Sequence, residues 1–238
     1  MKNVLSQEKR FEKEAQSMTQ KPLEEEQIQL FFSDIEPLSA SKVLVRLENE
    51  TLSIGQRILS QGLQLTVRGQ DKIGIIGPNG VGKSTLLAKL HQLLSGKREI
   101  SLGFMPQDYQ ETLQFGLSPV EFLSQTGHKE EIQKIQSHLA SLNFSYPEMH
   151  HQIHSLSGGQ QGKLLLLNLV LRKPNFLLLD EPTRNFSPTS QPEIRKLFAN
   201  FPGGLVTVSH DRRFLKEVCT TIYRLTEHGL ELVDLQDL

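Results

Sequence analysis

The run Gly77-Pro78-Asn79-Gly80-Val81-Gly82-Lys83-Ser84-Thr85 limits most sharply what this chain can fold into. It fits the pattern G-x-x-x-x-G-K-[ST], and it has the context that pattern needs. An apolar stretch, Lys72 to Ile76, precedes it as a strand, and Ser84 to Leu94 follows as a helix ended near Gly96. Glycines let successive backbone N–H groups turn inward on phosphate oxygens, and the helix start adds its partial positive charge. Lys83 then reaches the outer phosphates as a point charge, and the Ser84 hydroxyl is placed to ligate Mg2+.

The segments around this loop read as an α/β domain. Val43 to Leu47 and Leu63 to Val67 alternate as strands, with a turn at Gly69 to Asp71, and Ile100 to Met105 is a further strand. Pro119 to Leu123 and Lys129 to Asn143 read as helices of an inserted, mainly helical lobe, and Gly162 to Leu171 as a helix closed by Pro174. Phe176 to Leu179 is a continuous apolar run, as expected of a strand buried on both faces, and Leu205 to Val208 resembles it. Arg212 to Val218 completes the set as a helix.

Met1 to Ser41 differs in kind. It is rich in Glu, Gln and Lys, lacks glycine and is broken at Pro22 and Pro37. An incomplete apolar stripe predicts a helix over about Leu5 to Gln20, and Glu24 to Glu26 starts a second short helix or a solvated run. The segment is expected to be flexible or docked on a partner, which divides the chain into an extension, 1–41, and a domain, 42–238.

Composition removes several function classes. With 238 residues and a formal charge of −1, no overall positive field draws the chain to nucleic acid, so RNA has to be met through a local patch. Arg212, Arg213 and Lys216 fall on one helix, which reads first as a solvated face. The single cysteine, Cys219, forms no internal disulfide and lies in apolar sequence, which points to a buried side chain and a reduced, cytoplasmic compartment. The first ten residues lack the apolar core of a signal peptide, and no stretch approaches the ~20 apolar residues that span a bilayer, so direct membrane insertion is not expected. His150, His151 and His154 cluster without further metal ligands nearby.

Asp180-Glu181 ends the apolar run. A carboxylate at the C-terminal end of a buried parallel strand lies beside a phosphate loop, so Asp180 reads as an Mg2+ ligand, directly or through water, and Glu181 as the base for an attacking water. Gln107 follows a strand and is placed for Mg2+ or the water, while His210 ends another strand near the outer phosphate. In Leu156-Ser157-Gly158-Gly159-Gln160, Ser157 is a good N-cap and the glycines permit close approach. On physics alone this is an anion-binding helix start or only a well-capped helix; its place between Gln107 and Asp180 favours the former.

Taken in order, GPNGVGKST, Pro106-Gln107, LSGGQ, LLLDEPT (Leu177 to Thr183) and Ser209-His210-Asp211 resemble an ATP-binding cassette over about Val43 to Leu238. The resemblance implies a P-loop NTPase fold with a mainly parallel core sheet, an antiparallel β subdomain and a short helical lobe. It implies ATP and Mg2+ as ligands, with Gly77 through Thr85 on the phosphates, Ser84, Gln107 and Asp180 at the metal, and Glu181, His210 and Gln107 around the reacting water. Ser157, Gly158, Gly159 and Gln160 are implied to serve ATP held by a second cassette, in a homodimer or on another chain. Hydrolysis is then expected when two cassettes pair.

The finer resemblance is to the second cassette of antibiotic-resistance ABC-F proteins, through the charged extension, the short lobe, Leu225-Thr226 with Gly229-Leu230, and the run Asp180 to Pro188. It implies action on the ribosome, with Met1 to Ser41 as a linker remnant and the first cassette absent from the chain. The alternatives are the ATP-binding subunit of a membrane transporter with a transmembrane partner, and a truncated fragment with little independent activity. Two departures stand out. Ser187, with Arg184 nearby, stands where the family has an aspartate in the loop that crosses to the partner. Ser53-Ile54-Gly55 replaces the aromatic that stacks on adenine, so weaker base selectivity is expected.

Overall fold

A computed structural model describes residues 30–237. The helices expected within residues 1–29 lie outside the described residues.

Two sheets form the domain. β1 (Val43–Ile54) and β2 (Arg57–Arg68) make an antiparallel hairpin that pairs Ile54 with Arg57 across a two-residue loop, where Gly55 takes a positive φ. β3 (Lys72–Ile76), β4 (Leu102–Met105), β5 (Phe176–Asp180), β6 (Gly204–Val208), β7 (Thr221–Thr226) and β8 (Gly229–Val233) make the second sheet. Its order is β4-β5-β6-β3-β7-β8, parallel throughout except for β8 against β7.

The helices are α1 (Lys83–Leu94), α2 (Pro119–Leu123), α3 (Lys129–Ser141), α4 (Tyr146–His150), α5 (Gly158–Arg172), α6 (Gln191–Ala199) and α7 (Arg212–Val218). α2, α3, α4 and the start of α5 form the helical lobe. None of the described helices is long and apolar enough to cross a membrane.

Side chains alternate along β5 and β6 between two covered faces, which explains why both strands are mostly apolar. Phe176, Leu178, Val206 and Val208 face one core, shared with α1 residues Leu86, Leu87 and Leu90 and with the hairpin. Leu177, Leu179 and Leu205 face the other, shared with α5, α6 and α7. Every residue of these two strands is buried. At 25 cal/mol per Å2, each such side chain contributes roughly 1.5–3 kcal/mol of burial, so the two strands anchor the loops that leave them.

Several expectations shift. β1 and β2 run to 12 residues each, well beyond Val43–Leu47 and Leu63–Val67, because register shifts between Leu47 and Leu52 break the alternation that marks a strand in sequence. α3 stops at Ser141 rather than Asn143, where Asn143 turns left-handed at φ 65°. α5 starts at Gly158, a turn before the expected Gly162, because Ser157 caps it. β4 starts at Leu102 rather than Ile100. α6 was not anticipated, nor was α4.

Residues 30–41, expected to be flexible or held by a partner, pack on the chain's own domain. Leu30 is buried, and the Phe32 ring lies 4.8 Å from Phe201 and 6.3 Å from Phe198. Asp34 pairs with Lys173 at 3.0 Å, and the Leu38 carbonyl accepts from Gln70.

Candidate nucleotide site

In a parallel sheet the loops after neighbouring strands converge at one edge. Here the loops after β3, β4, β5 and β6 bring Asn79, Gly80, Gly82, Gln107, Asp180, Glu181, Arg184 and His210 to a cleft of about 680 Å3. Ile54 and Leu59 of the hairpin line it as well.

The phosphate loop leaves β3 at Ile76. Gly77 has φ 148°, and a Cβ there would stand 2.7 Å from the Leu225 carbonyl oxygen; Gly82 has φ 104°, with Leu59 3.0 Å from where a Cβ would be. Side chains at these positions would block the turn. α1 then starts with no side-chain cap. Lys83 Nζ donates to the Gly77 and Pro78 carbonyls at 2.8 and 2.9 Å, which closes the loop around its ammonium. Burial pushes the Lys83 pKa down, while Glu181 and then Asp180 pull it back up.

Asp180 closes β5. Its carboxylate is buried and Oδ1 has no hydrogen-bond partner. Burial raises its pKa, opposed by a bond from the Ser84 side chain and by the charges of Lys83 and Arg184. A buried carboxylate oxygen without a partner, next to a hydroxyl and with Gln107 in the same cleft, is a donor set that fits a divalent cation bearing oxygen ligands.

Glu181 has a left-handed backbone at φ 50°, which for a residue with a Cβ costs about 1–2 kcal/mol. The Glu181 N–H donates to the Val208 carbonyl at 2.9 Å, and that bond holds the turn. Glu181 Oε2 accepts the His210 N–H at 3.3 Å, while Oε1 has no hydrogen-bond partner and lies 3.8 Å from His210 Nε2. Burial raises the Glu181 pKa; the His210 N–H and ring lower it again. The result is a strained, partly desolvated carboxylate with one acceptor oxygen buried and without a hydrogen-bond partner beside the cleft.

Ser157, Gly158, Gly159 and Gln160 form a second locus. Ser157 Oγ accepts the Gln160 N–H at 3.3 Å, and Gln160 Oε1 accepts the Ser157 N–H at 3.0 Å. Gly158 has open space where a Cβ would be, and Gly159 has only the Asn185 carbonyl oxygen at 3.5 Å. None of these four residues lines the nucleotide cleft. A neighbouring cavity of about 590 Å3 shares Ser84, Gln107, Asp180 and Arg184 with that cleft and reaches Gly158 and Gln161.

Three residues outside the set drawn from sequence enter here. Arg184 lines both cavities. Tyr109 is buried against the α5 start, its hydroxyl 3.0 Å from where a Gly162 Cβ would be. Glu148 accepts from Gln160 Nε2 at 2.7 Å. A long-range contact of this kind leaves no local signal, although the capping pattern Ser145-x-x-Glu148 is readable in the sequence. Ser187 is held among its own hydroxyl neighbours, Thr189 and Ser190, each at 2.9 Å. Among the described residues no group of His, Cys, Asp and Glu is arranged to hold a metal; His150 faces Gln136 and the Tyr146 ring. Cys219 is buried, with its thiol pushed up to about 12.

The family model described as ABC transporter matches residues 60–184. This chain is an ATP-binding cassette of the ABC transporter family. It is 31% identical over 210 residues to the probable ATP-binding protein YheS of Escherichia coli, covering 85% of this chain and 33% of that protein. It is 31% identical over 235 residues to the putative ATP-binding protein YdiF of Bacillus subtilis, covering 95% and 36%. Against ABC transporter F family member 2 of Arabidopsis thaliana the identity is 26% over 234 residues, covering 94% and 34%. The cassette thus spans about a third of the length of these relatives. Among solved structures, the dimeric post-hydrolysis state of the cassette MJ0796 bound to ADP and Pi matches with a TM-score of 0.64 at 20% identity, covering 80% of this chain and 98% of that one. A bacterial Atm1-family exporter with ATP bound matches at 0.64 and 16%, covering 86% and 41%. At these identities the likeness carries the cassette fold.

Proposed function

We propose that this cassette binds ATP with Mg2+ and hydrolyses it when paired with a second cassette, and that it belongs to the ABC-F branch, coupling the cycle to a conformational change on the ribosome. Residues 42–238 form the working domain, with 1–41 as its extension.

The observation that carries the chemistry is the buried, unpartnered Oε1 of Glu181 in the cleft that Lys83 also lines. The backbone of Gly77 through Thr85 takes the phosphates, and Lys83 exchanges the carbonyls of Gly77 and Pro78 for phosphate oxygens. Ser84, Asp180 and Gln107 would hold Mg2+, which would neutralise phosphate charge when bound. Glu181 Oε1 takes the proton of the attacking water. Its raised pKa brings it nearer the operating pH, as a general base requires. The His210 N–H keeps the other oxygen in place.

Pairing is supported by the open face of Gly158 and Gly159 and by the dimeric state named for MJ0796. The ABC-F assignment draws on the relative named as an F family member and on the motif run Asp180 to Pro188. The competing reading, an ATP-binding subunit serving transmembrane partners, is favoured by the exporter likeness. Fractionation separates the two. Sedimentation with ribosomes in the presence of ATP is the expected result, and stable recovery with an integral membrane partner would overturn it.

A further inference from the structure

The helical lobe contains three capping boxes in succession, closed by Ser118 and Glu121 on α2, Ser145 and Glu148 on α4, and Ser157 and Gln160 on α5. Only the last closes with an amide, whose two ends differ in chemistry: one accepts, the other donates. Left to itself, Gln160 can present either end to Ser157. The second and third boxes are joined, however. Glu148 Oε2 accepts the Ser145 N–H and O–H, each at 2.7 Å, and Oε1 accepts Gln160 Nε2 at 2.7 Å. Gln160 Oε1 in turn accepts the Ser157 N–H at 3.0 Å and O–H at 3.1 Å.

We propose that Glu148 is a positioning residue for the LSGGQ segment: its carboxylate fixes the Gln160 amide with oxygen toward Ser157, and so sets the hydroxyl and backbone that meet the second cassette's nucleotide. The last clause rests on the pairing proposed above.

A carboxylate only accepts, so the amide nitrogen must face Glu148 and the amide oxygen must face away from it. The bond is charge-assisted and partly shielded, the stronger kind of hydrogen bond. It also crosses 12 residues of sequence, from α4 to α5. α4 is itself tied to α3 where Gln136 meets His150 Nε2 at 3.2 Å. The orientation of Ser157 is therefore set by the body of the lobe and not by α5 alone. The Ser157 hydroxyl is held on Gln160, while the Gly158 and Gly159 backbone stays open to an approaching ligand.

Two variants test this without breaking the cap of α4. In Glu148→Gln the capping box survives, since an amide oxygen closes one equally well. The amide nitrogen at position 148 then confronts Gln160, which must flip and turn a donor toward the Ser157 N–H. In the exchange variant, Glu148→Gln with Gln160→Glu, a carboxylate at position 160 accepts from position 148 and from both Ser157 donors. The expected result for Glu148→Gln is unchanged ATP affinity at the Lys83 site and about tenfold lower turnover through kcat, the scale of one charge-assisted bond. Hydrogen exchange at the Ser157 N–H accelerates by a similar factor, and the exchange variant restores both. Unchanged turnover in Glu148→Gln, or no recovery in the exchange variant, would overturn the proposal. A Glu181→Gln chain that fails to pair on Mg-ATP defeats the pairing reading alone. The Ser157 exchange rate, read on the single chain, then decides the positioning role: faster in Glu148→Gln and restored by the exchange supports it, and no change sinks it.

Discussion

Two helices of this cassette begin at glycine-rich turns, and they treat their first backbone N–H groups differently. α1 starts after Gly82 without a side-chain cap, and Lys83 bends back onto the carbonyls of Gly77 and Pro78. α5 starts with Ser157 and Gln160 closing on each other, and Glu148 closing on Gln160. A helix start needs its first donors satisfied, by side chains, water or a ligand. The α1 start has no side-chain cap, a task that the proposed function gives to a phosphate, and Asp180 and Glu181 lie in the same cleft as Lys83. The α5 start is complete as a local structure, yet its two glycines present open backbone. On the function proposed, the first holds a ligand and the second meets one held by another cassette.

The largest expected effect separates the two at once. Glu181→Gln should lower steady-state hydrolysis about 100- to 10,000-fold, the usual contribution of a positioned base, while ATP binding measured by calorimetry is retained. Undiminished hydrolysis would remove Glu181 from the reaction. Lys83→Ala should weaken Mg-ATP binding roughly 10- to 100-fold, as loss of a charged hydrogen-bond donor does, with no change in hydrogen exchange at Ser157. A response at Ser157 would mean the two helix starts are coupled within one chain.

Glycine substitutions along α5 sharpen the contrast. At Gly162 a Cβ would stand 2.8 Å from the Phe186 ring and 3.0 Å from the Tyr109 hydroxyl. Gly162→Ala should therefore cost about 1–3 kcal/mol by overpacking, despite alanine's helix preference. Gly158→Ala has room and should leave the melting temperature unchanged while lowering turnover of the pair.

Acid sensitivity should differ in sign between the regions. Burial raises the pKa of Asp180 and of Glu181, so their neutral forms favour the fold. Their contribution is present below the ordinary carboxylate range and is lost as pH rises through the raised values. Without nucleotide, Glu181→Gln should then melt higher at pH 7, by the few degrees that correspond to about 1 kcal/mol. Glu131 in the lobe is the reverse case. Bonds from the Gln125 and Thr126 N–H groups and the Thr126 hydroxyl hold it at about 2, so its contribution is present above its ordinary value and lost as pH falls through about 2. Melting curves from pH 2 to 7 on Glu131→Gln and Glu181→Gln should diverge in opposite directions. The smallest effect concerns the base. Ile54 is exposed at the cleft and offers only an apolar contact, so ATP and GTP should bind within a few-fold of each other.

The phosphate loop, Asp180-Glu181 and the apolar strands were legible in sequence because each is a local pattern with a local cause. β5 and β6 announce themselves by the apolar runs Phe176 to Leu179 and Leu205-Val206 with Val208. α6 was hidden because its approach, Ser187-Pro188-Thr189-Ser190, reads as a loop, although Pro192 in the first turn and Ile194, Leu197 and Phe198 on one face are helix signals. The length of β1 was hidden by its bulges, and β7 and β8 were not read as strands, Leu225-Thr226 and Gly229-Leu230 serving only as a family pattern. Within the site, the Gln160 side chain bonds Glu148 and Ser157 of its own chain, and the Glu148 bond has no local signal in the sequence. Contacts across 12 residues or more, such as Glu148 to Gln160 and His210 to Glu181, depend on packing that no window of sequence contains.

The claim that Lys83 and Ser157 serve one nucleotide only from different cassettes has a direct test in mixed chains. A Lys83→Ala chain lacks a working phosphate loop, and a Ser157→Arg chain lacks a working α5 start. Each alone should be inactive. Mixed in equal amounts they should hydrolyse ATP at about a quarter of the unsubstituted rate, because half of random two-fold pairs hold one intact composite site of two. A mixture no faster than its parts, or a Ser157→Arg chain that keeps the full rate by itself, would contradict the account.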